Sequence, residues 1–263
     1  MKVTLLGTGG SSGVPLIGGP DGSGDWGACD PVEPRNRRTR PSIVIESDTG
    51  ERLLVDTSPD LREQMLSCRV PGVDAILYTH AHADHVSGID DVRILNRIAR
   101  RPLKAYATEG TLAEVKNRFG YAFRPWAPPH FFRPVLEDRV IAAGDTLEML
   151  GMRIHTFAQD HGKVESLGVR VGVFAYSTDV VGLDDAAFAA LDGIDTWVVD
   201  CFLRWDSHWT HANLDIVTRW VERVKPRRTV LTHMGTDMDW AWMQANLPPG
   251  IEPGYDGMVL AFG

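Results

Sequence analysis

The chain has 263 residues, 43% of them hydrophobic, enough to bury a substantial core, and a single domain over residues 1–263 is expected. Its 27 lysines and arginines against 35 aspartates and glutamates give a net charge of −8, which argues against broad capture of large nucleic acid and leaves room for a small anionic substrate. Cys29, Cys68 and Cys201 form no CxxC pair, no apolar run approaches membrane-spanning length and glycine breaks the first residues too early for a signal peptide, so a disulfide framework, a cysteine zinc knuckle and a membrane anchor are set aside and a cytoplasmic location is expected.

In chain order, Lys2 to Leu6 reads as a strand. The glycine-rich loop Gly7-Thr8-Gly9-Gly10-Ser11-Ser12-Gly13 follows, either a tight connection or a contact to an anion through Ser11 and Ser12. Residues 18–41 form an irregular excursion in which Arg35, Arg37, Arg38 and Arg40 either face water or clamp a phosphate, with Arg38 taken as the candidate substrate contact. Ser42 to Ser47 and Arg52 to Asp56 read as a hairpin, and a helix then runs to about Cys68. Asp56, at a strand tip, serves either as a turn carboxylate or as the partner that a metal-binding histidine commonly needs.

The apolar run Val73 to Tyr78 closes on Thr79-His80-Ala81-His82-Ala83-Asp84-His85, four potential metal ligands within six residues. None of the histidines has the i, i+4 spacing of a helical zinc pair, so a tight turn is expected, followed by a helix from Val86 to Arg101. Leu103 to Ala107 then reads as a strand and Thr111 to Phe119 as a helix. The aromatic, proline-rich segment 121–132 reads as a wall or lid near the site. Leu147 to Phe157 forms a hairpin that leads to His161, Phe174 to Ser177 leads to Asp179, and Thr196 to Val199 ends at Asp200. A helix spans Thr210 to Val224, and Arg228 to Leu231, read as the last core strand, leads to His233. Buried strands rarely end in unpaired ionisable groups unless these serve a common site, and the accumulated ligands are too many for one tetrahedral ion.

The motif His-x-His-x-Asp-His after a buried strand resembles the signature of the metallo-β-lactamase superfamily. That resemblance implies an α/β fold, a four-layer αβ/βα sandwich with a two-metal site on one edge. It implies that His80, His82 and His161 hold one ion, Asp84, His85 and His233 the other, and that Asp179 bridges them. The ions are expected to be zinc, with manganese or iron also compatible with such ligands. His82 stands where redox relatives carry an acidic residue, which favours hydrolysis.

The glycine-rich start, Asp200-Cys201, His211 followed by Leu214, Leu231-Thr232-His233 and Gly254-Tyr255-Asp256-Gly257 together resemble the phosphodiesterase branch, which includes the cyclic-phosphate phosphodiesterases of bacterial phosphonate degradation. Those enzymes carry a cysteine cluster for a further structural zinc, and here residues 18–41 keep only Cys29. The expected activity is hydrolysis of a small cyclic or nucleotide-like phosphodiester, with two metals about 3.5 to 4 Å apart lowering the pKa of a bridging water. Asp84 and His211 are the candidate catalytic residues. His211 is expected at a helix start, where it donates a proton to the leaving group, and His208 is its rival as a substrate contact. A tRNA 3′-processing nuclease, a thioester or lactone hydrolase and a non-enzymatic metal sensor are the alternatives. A homodimer is expected from the resemblance alone.

Overall fold

The computed structural model describes residues 1–263, whose strands form two seven-stranded sheets. The first contains β1 (Lys2–Gly7), β2 (Ser42–Glu46), β3 (Arg52–Val55), β4 (Ala75–Leu77), β5 (Leu103–Ala107) and β6 (Leu136–Val140). The second contains β7 (Thr146–Met149), β8 (Met152–His161), β9 (Val164–Val171), β10 (Phe174–Ser177), β11 (Thr196–Asp200), β12 (Arg228–Thr232) and β13 (Ile251–Pro253). A last strand, β14 (Val259–Ala261), returns to the first sheet beside β1, pairing Val3 with Leu260.

Period-two alternation assigns each side chain to a layer. Ile43 and Ile45 of β2 and Leu53 and Val55 of β3 pack between the sheets, while Val44 and Leu54 face the helices on the outside. The first sheet is covered by α1 (Leu61–Ser67), α2 (Ala83–Val86), α3 (Val92–Ala99) and α4 (Glu109–Phe119). The second is covered by α5 (Asp185–Leu191), α6 (Leu214–Val224) and α7 (Trp240–Asn246). The result is the expected four-layer αβ/βα sandwich. β3, β4 and β5 run parallel to one another, as do β10 to β13, so their carboxyl ends collect along one rim, where open α/β sheets place ligands. No helix is long and apolar enough to cross a membrane.

Three expectations are corrected here. The helix foreseen from Val86 to Arg101 is broken into α2, a 3₁₀ turn at Ile89–Asp91 and α3. Gly88 causes the break: its N–H donates to Thr57 O, and a β-carbon there would lie 2.0 Å from Ser58 O, so the backbone leaves the helical path to press against the loop after β3. The helical path also starts earlier than expected, at Ala83, so Asp84 and His85 lie on a helical turn. The strand ending at Thr232 is not the last, because β13 and β14 follow, each only three residues long and too short to show alternation. The aromatic segment after α4 packs over α3: Trp126 stacks on Phe131 at 4.3 Å and Arg97 Nε donates to Phe131 O. None of its residues lines the cavity beside His80 and His82.

The excursion 18–41 is irregular, as expected, and clasps the loop after β12: Ala28 N–H donates to Thr236 O and Asn36 Nδ2 to Asp239 Oδ1. Its base is tied by the partly buried Asp256, whose carboxylate accepts from the backbone and hydroxyls of both Thr8 and Thr39 at 2.6–2.9 Å. Burial pushes this carboxyl up to about 6, with the threonine donors opposing. A carboxyl raised above its unfolded value contributes stability that is complete below the unfolded pKa and lost as pH rises through the folded one. The stability of wild type relative to Asp256→Asn, at equal metal loading, therefore falls by about 3 kcal/mol between roughly pH 4 and pH 6 and is level above that. Urea midpoints of the two proteins across that range measure it.

Candidate metal centre

Every ligand foreseen in the sequence arrives at the same rim. His80 follows β4, His161 ends β8, Asp179 follows β10 and His233 follows β12, while Asp84 and His85 come from α2. His80, His82, His161 and Asp179 form one group whose ligand atoms lie within 4.8 Å of one another, and Asp84, His85, Asp179 and His233 form a second. Asp179 belongs to both: its Oδ2 is 3.7 Å from His80 Nε2 and 3.5 Å from His161 Nε2, and its Oδ1 is 3.0 Å from His85 Nε2 and 3.4 Å from His233 Nε2. Asp56, Asp179 and His233 hold left-handed φ values of 65°, 51° and 55°, a strain that non-glycine residues accept where surrounding structure demands it.

A cation suits this arrangement. His80 Nε2, His85 Nε2, His233 Nε2 and Asp84 Oδ2 are buried with no hydrogen-bond partner, a cost that coordination removes. Two of the remaining nitrogens are fixed as metal-binding imidazoles require: His85 Nδ1 lies 2.7 Å from Asp56 Oδ2, and His161 Nδ1 donates to Thr210 O at 2.8 Å. Asp56 also accepts from Thr79 N–H at 2.8 Å, so of its two sequence readings the partner of a histidine is the one realised.

The charges of the protein alone are correspondingly displaced. Burial opposes the charge on Asp179, but His233, His85 and His80 outweigh it and hold the carboxyl well below its usual range. Burial likewise opposes charge on Asp84, which His85 holds low. Burial also works against protonation of His85 and His233, yet Asp179 and its fellow carboxylates raise both, His233 to about 9. His80, buried and facing the His85 charge, is driven down.

His211 lies against both groups, its ring stacked 4.5 Å from that of His233 and edge-on 4.9 Å from that of His161. It does not start a helix, because Asn213 takes the N-cap of α6 by accepting from Ile216 N–H, and the expected help from the helix dipole is withdrawn. Asp200 fixes it instead: Oδ2 lies 2.8 Å from His211 Nδ1 and also accepts from Val180 N–H, next to Asp179. His208 sits beside His211 with ring centroids 5.1 Å apart. Ser11 and Ser12 are exposed on the glycine-rich loop, which reaches the site at Gly10, where a β-carbon would lie 3.6 Å from His233 Cε1. Arg38 is corrected: it is 2% exposed and donates to the carbonyls of Met238 and Gly235, with Cys29 Sγ 3.9 Å away, so its guanidinium braces the excursion and does not face substrate. The sequence reading missed the role of Asp200 as the partner of His211. Asp200 obeys the same rule that located the ligands, an ionisable residue at the end of a buried strand.

The model of the β-lactamase superfamily domain matches residues 51–234. This chain belongs to the metallo-β-lactamase superfamily. Within it the chain falls in the PhnP-like branch: a crystal structure of a diphosphatase from the PhnP family is 35% identical with a TM-score of 0.88, covering 100% of this chain and 98% of that one. An octanoyltransferase of Porphyromonas gingivalis is 29% identical over 98% of this chain, which spans only 51% of that protein's length. The anti-Pycsar protein Apyc1 of a Bacillus phage is 24% identical over 78% of this chain and 86% of its own. Human tRNase Z, short form, shares the fold at a TM-score of 0.67 and 17% identity. Superfamily, fold and the converged histidines and aspartates support a metal-dependent hydrolase.

Proposed function

We propose that the chain hydrolyses a small phosphodiester, cyclic or nucleotide-like, with two divalent cations held by His80, His82 and His161 on one side, Asp84, His85 and His233 on the other, and Asp179 between. Zinc is the first choice for so histidine-rich a set. When bound, the cations supply Lewis acidity and an activated water. The protein's own part is proton delivery and exclusion of alternatives. A leaving alkoxide needs a proton, and the observation that carries this reading is the His211–Asp200 pair standing against the second ligand group, 2.8 Å between Nδ1 and Oδ2. Asp200 accepts from Nδ1–H, which leaves Nε2 to hold and release the proton. Asp84 Oδ2 stands 3.2 Å from His85 Nε2 and 3.6 Å from His233 Nε2, where the three would share one cation.

The likeness to a diphosphatase favours a second reading, a diphosphate linkage as the bond cleaved. Metal-loaded protein offered bis-p-nitrophenyl phosphate, a diphosphate ester, a thioester, a lactone and a β-lactam decides among these. Turnover of the diester well above the rest, abolished by chelation, is expected; a thioester or lactone as the better substrate overturns the proposal.

A further inference from the structure

The loop between β11 and His211 carries the only two of the chain's eight tryptophans that are exposed, Trp205 at 59% and Trp209 at 63%. Large apolar rings left in water near polar groups mark binding surfaces. Trp209 is two residues from His211 and packs on the β8–β9 tip: a β-carbon at Gly162 would lie 3.0 Å from its Cε3. Its neighbour Thr210 accepts the hydrogen bond from His161, so the indole is tied to a ligand on one side and to the proton donor on the other. His208 and Phe202 continue the surface, Phe202 with ring centroids 5.3 Å from His208 and 5.1 Å from His211. Asn213 Nδ2 donates to Trp205 O, which anchors the loop to the start of α6. Lys163 Nζ stands 5.7 Å from the Trp209 ring centre and draws anions toward it.

The other flank of the same tip differs in kind. A cavity of about 300 Å³ reaches His80 and His82 and is lined by Thr108, Thr111, Glu114 and Glu165, hydroxyls and carboxylates with no carbocyclic ring. A substrate lying across the site therefore meets an aromatic surface on the His211 side and hydroxyl-binding groups on the other.

We propose that Trp209, with His208 and Phe202 beside it, seats a flat aromatic leaving group, so that the preferred substrate is a phosphodiester releasing a nucleoside or aryl alcohol. This rests on the phosphodiesterase reading and adds its direction. The P–O bond to the ring-bearing group breaks, the oxygen of water replaces it on phosphorus, and the departing oxygen takes its proton from His211.

Three methyl diesters test it: adenosine 5′-methyl phosphate, methyl phenyl phosphate and methyl cyclohexyl phosphate. Wild type is expected to release adenosine and methyl phosphate from the first; adenosine monophosphate and methanol would place the ring on the retained side and overturn the proposal. Trp209→Ala is expected to lower the kcat/KM preference for ring-bearing over cyclohexyl ester about tenfold, through KM, with Trp209→Phe keeping most of it. Loss confined to the adenosyl ester identifies a nucleoside, and equal loss with the phenyl ester any flat ring; an unchanged preference refutes the assignment. Should no diester be hydrolysed, the parent reading fails, and calorimetric titration of adenosine into metal-loaded protein judges the subsite separately. An affinity about tenfold weaker in Trp209→Ala sustains it, and equal affinity removes it.

Discussion

Replacing His211 by alanine lowers turnover of an alkyl phosphodiester by about 10²–10⁴-fold and leaves the bound metal unchanged. His211 lies outside both groups that share Asp179, its Nδ1 is engaged by Asp200, and its ligand atom comes within 4.8 Å of that of His233, so metal content is measured beside turnover. The size of the loss depends on the leaving group. An alkoxide cannot depart without a proton, whereas p-nitrophenolate can, so bis-p-nitrophenyl phosphate loses far less than an alkyl diester. Asp200→Asn, which keeps the shape and disturbs the ring's tautomer, reproduces part of the effect. A diphosphate linkage, whose leaving group is itself a phosphate, also loses little, so the same variant separates the two bond types considered above. Equal losses on alkyl and p-nitrophenyl esters would show that His211 does something other than deliver a proton.

Substituting Asp179 by alanine is expected to reduce bound metal from about two equivalents per chain to one or fewer and to remove turnover. This carboxylate is the single residue common to both ligand groups, with one oxygen within 3.7 Å of His80 and His161 and the other within 3.4 Å of His85 and His233. Deleting it leaves buried imidazoles facing one another without the anion that balances them. Elemental analysis beside circular dichroism distinguishes loss of ligation from loss of fold. Two equivalents retained in a folded Asp179→Ala protein would mean that the ions lie elsewhere. Because His211 and Asp179 act through different chemistry, one variant spares metal and the other does not, a contrast that general destabilisation cannot produce.

The sequence by itself determined the strand ends and the ionisable residues that stand at them, through the dense run from His80 to His85 and apolar segments halting at His161, Asp179 and His233. The sandwich and the division of those residues into two groups came from the resemblance that this run carries to the superfamily. The tertiary structure alone decided the pairings. That Asp56 serves His85, 29 residues away, and Asp200 serves His211, 11 residues away, depends on which strand tips become neighbours at the rim. It also decided against Arg38, which local composition offered to a phosphate but which packing turned inward to brace backbone carbonyls. It packed segment 121–132 over α3, away from the site, and left Trp205 and Trp209 exposed on the loop before His211. Local periodicity and residue chemistry are carried along the chain; the partner of a side chain is set by long-range packing, which no short stretch encodes.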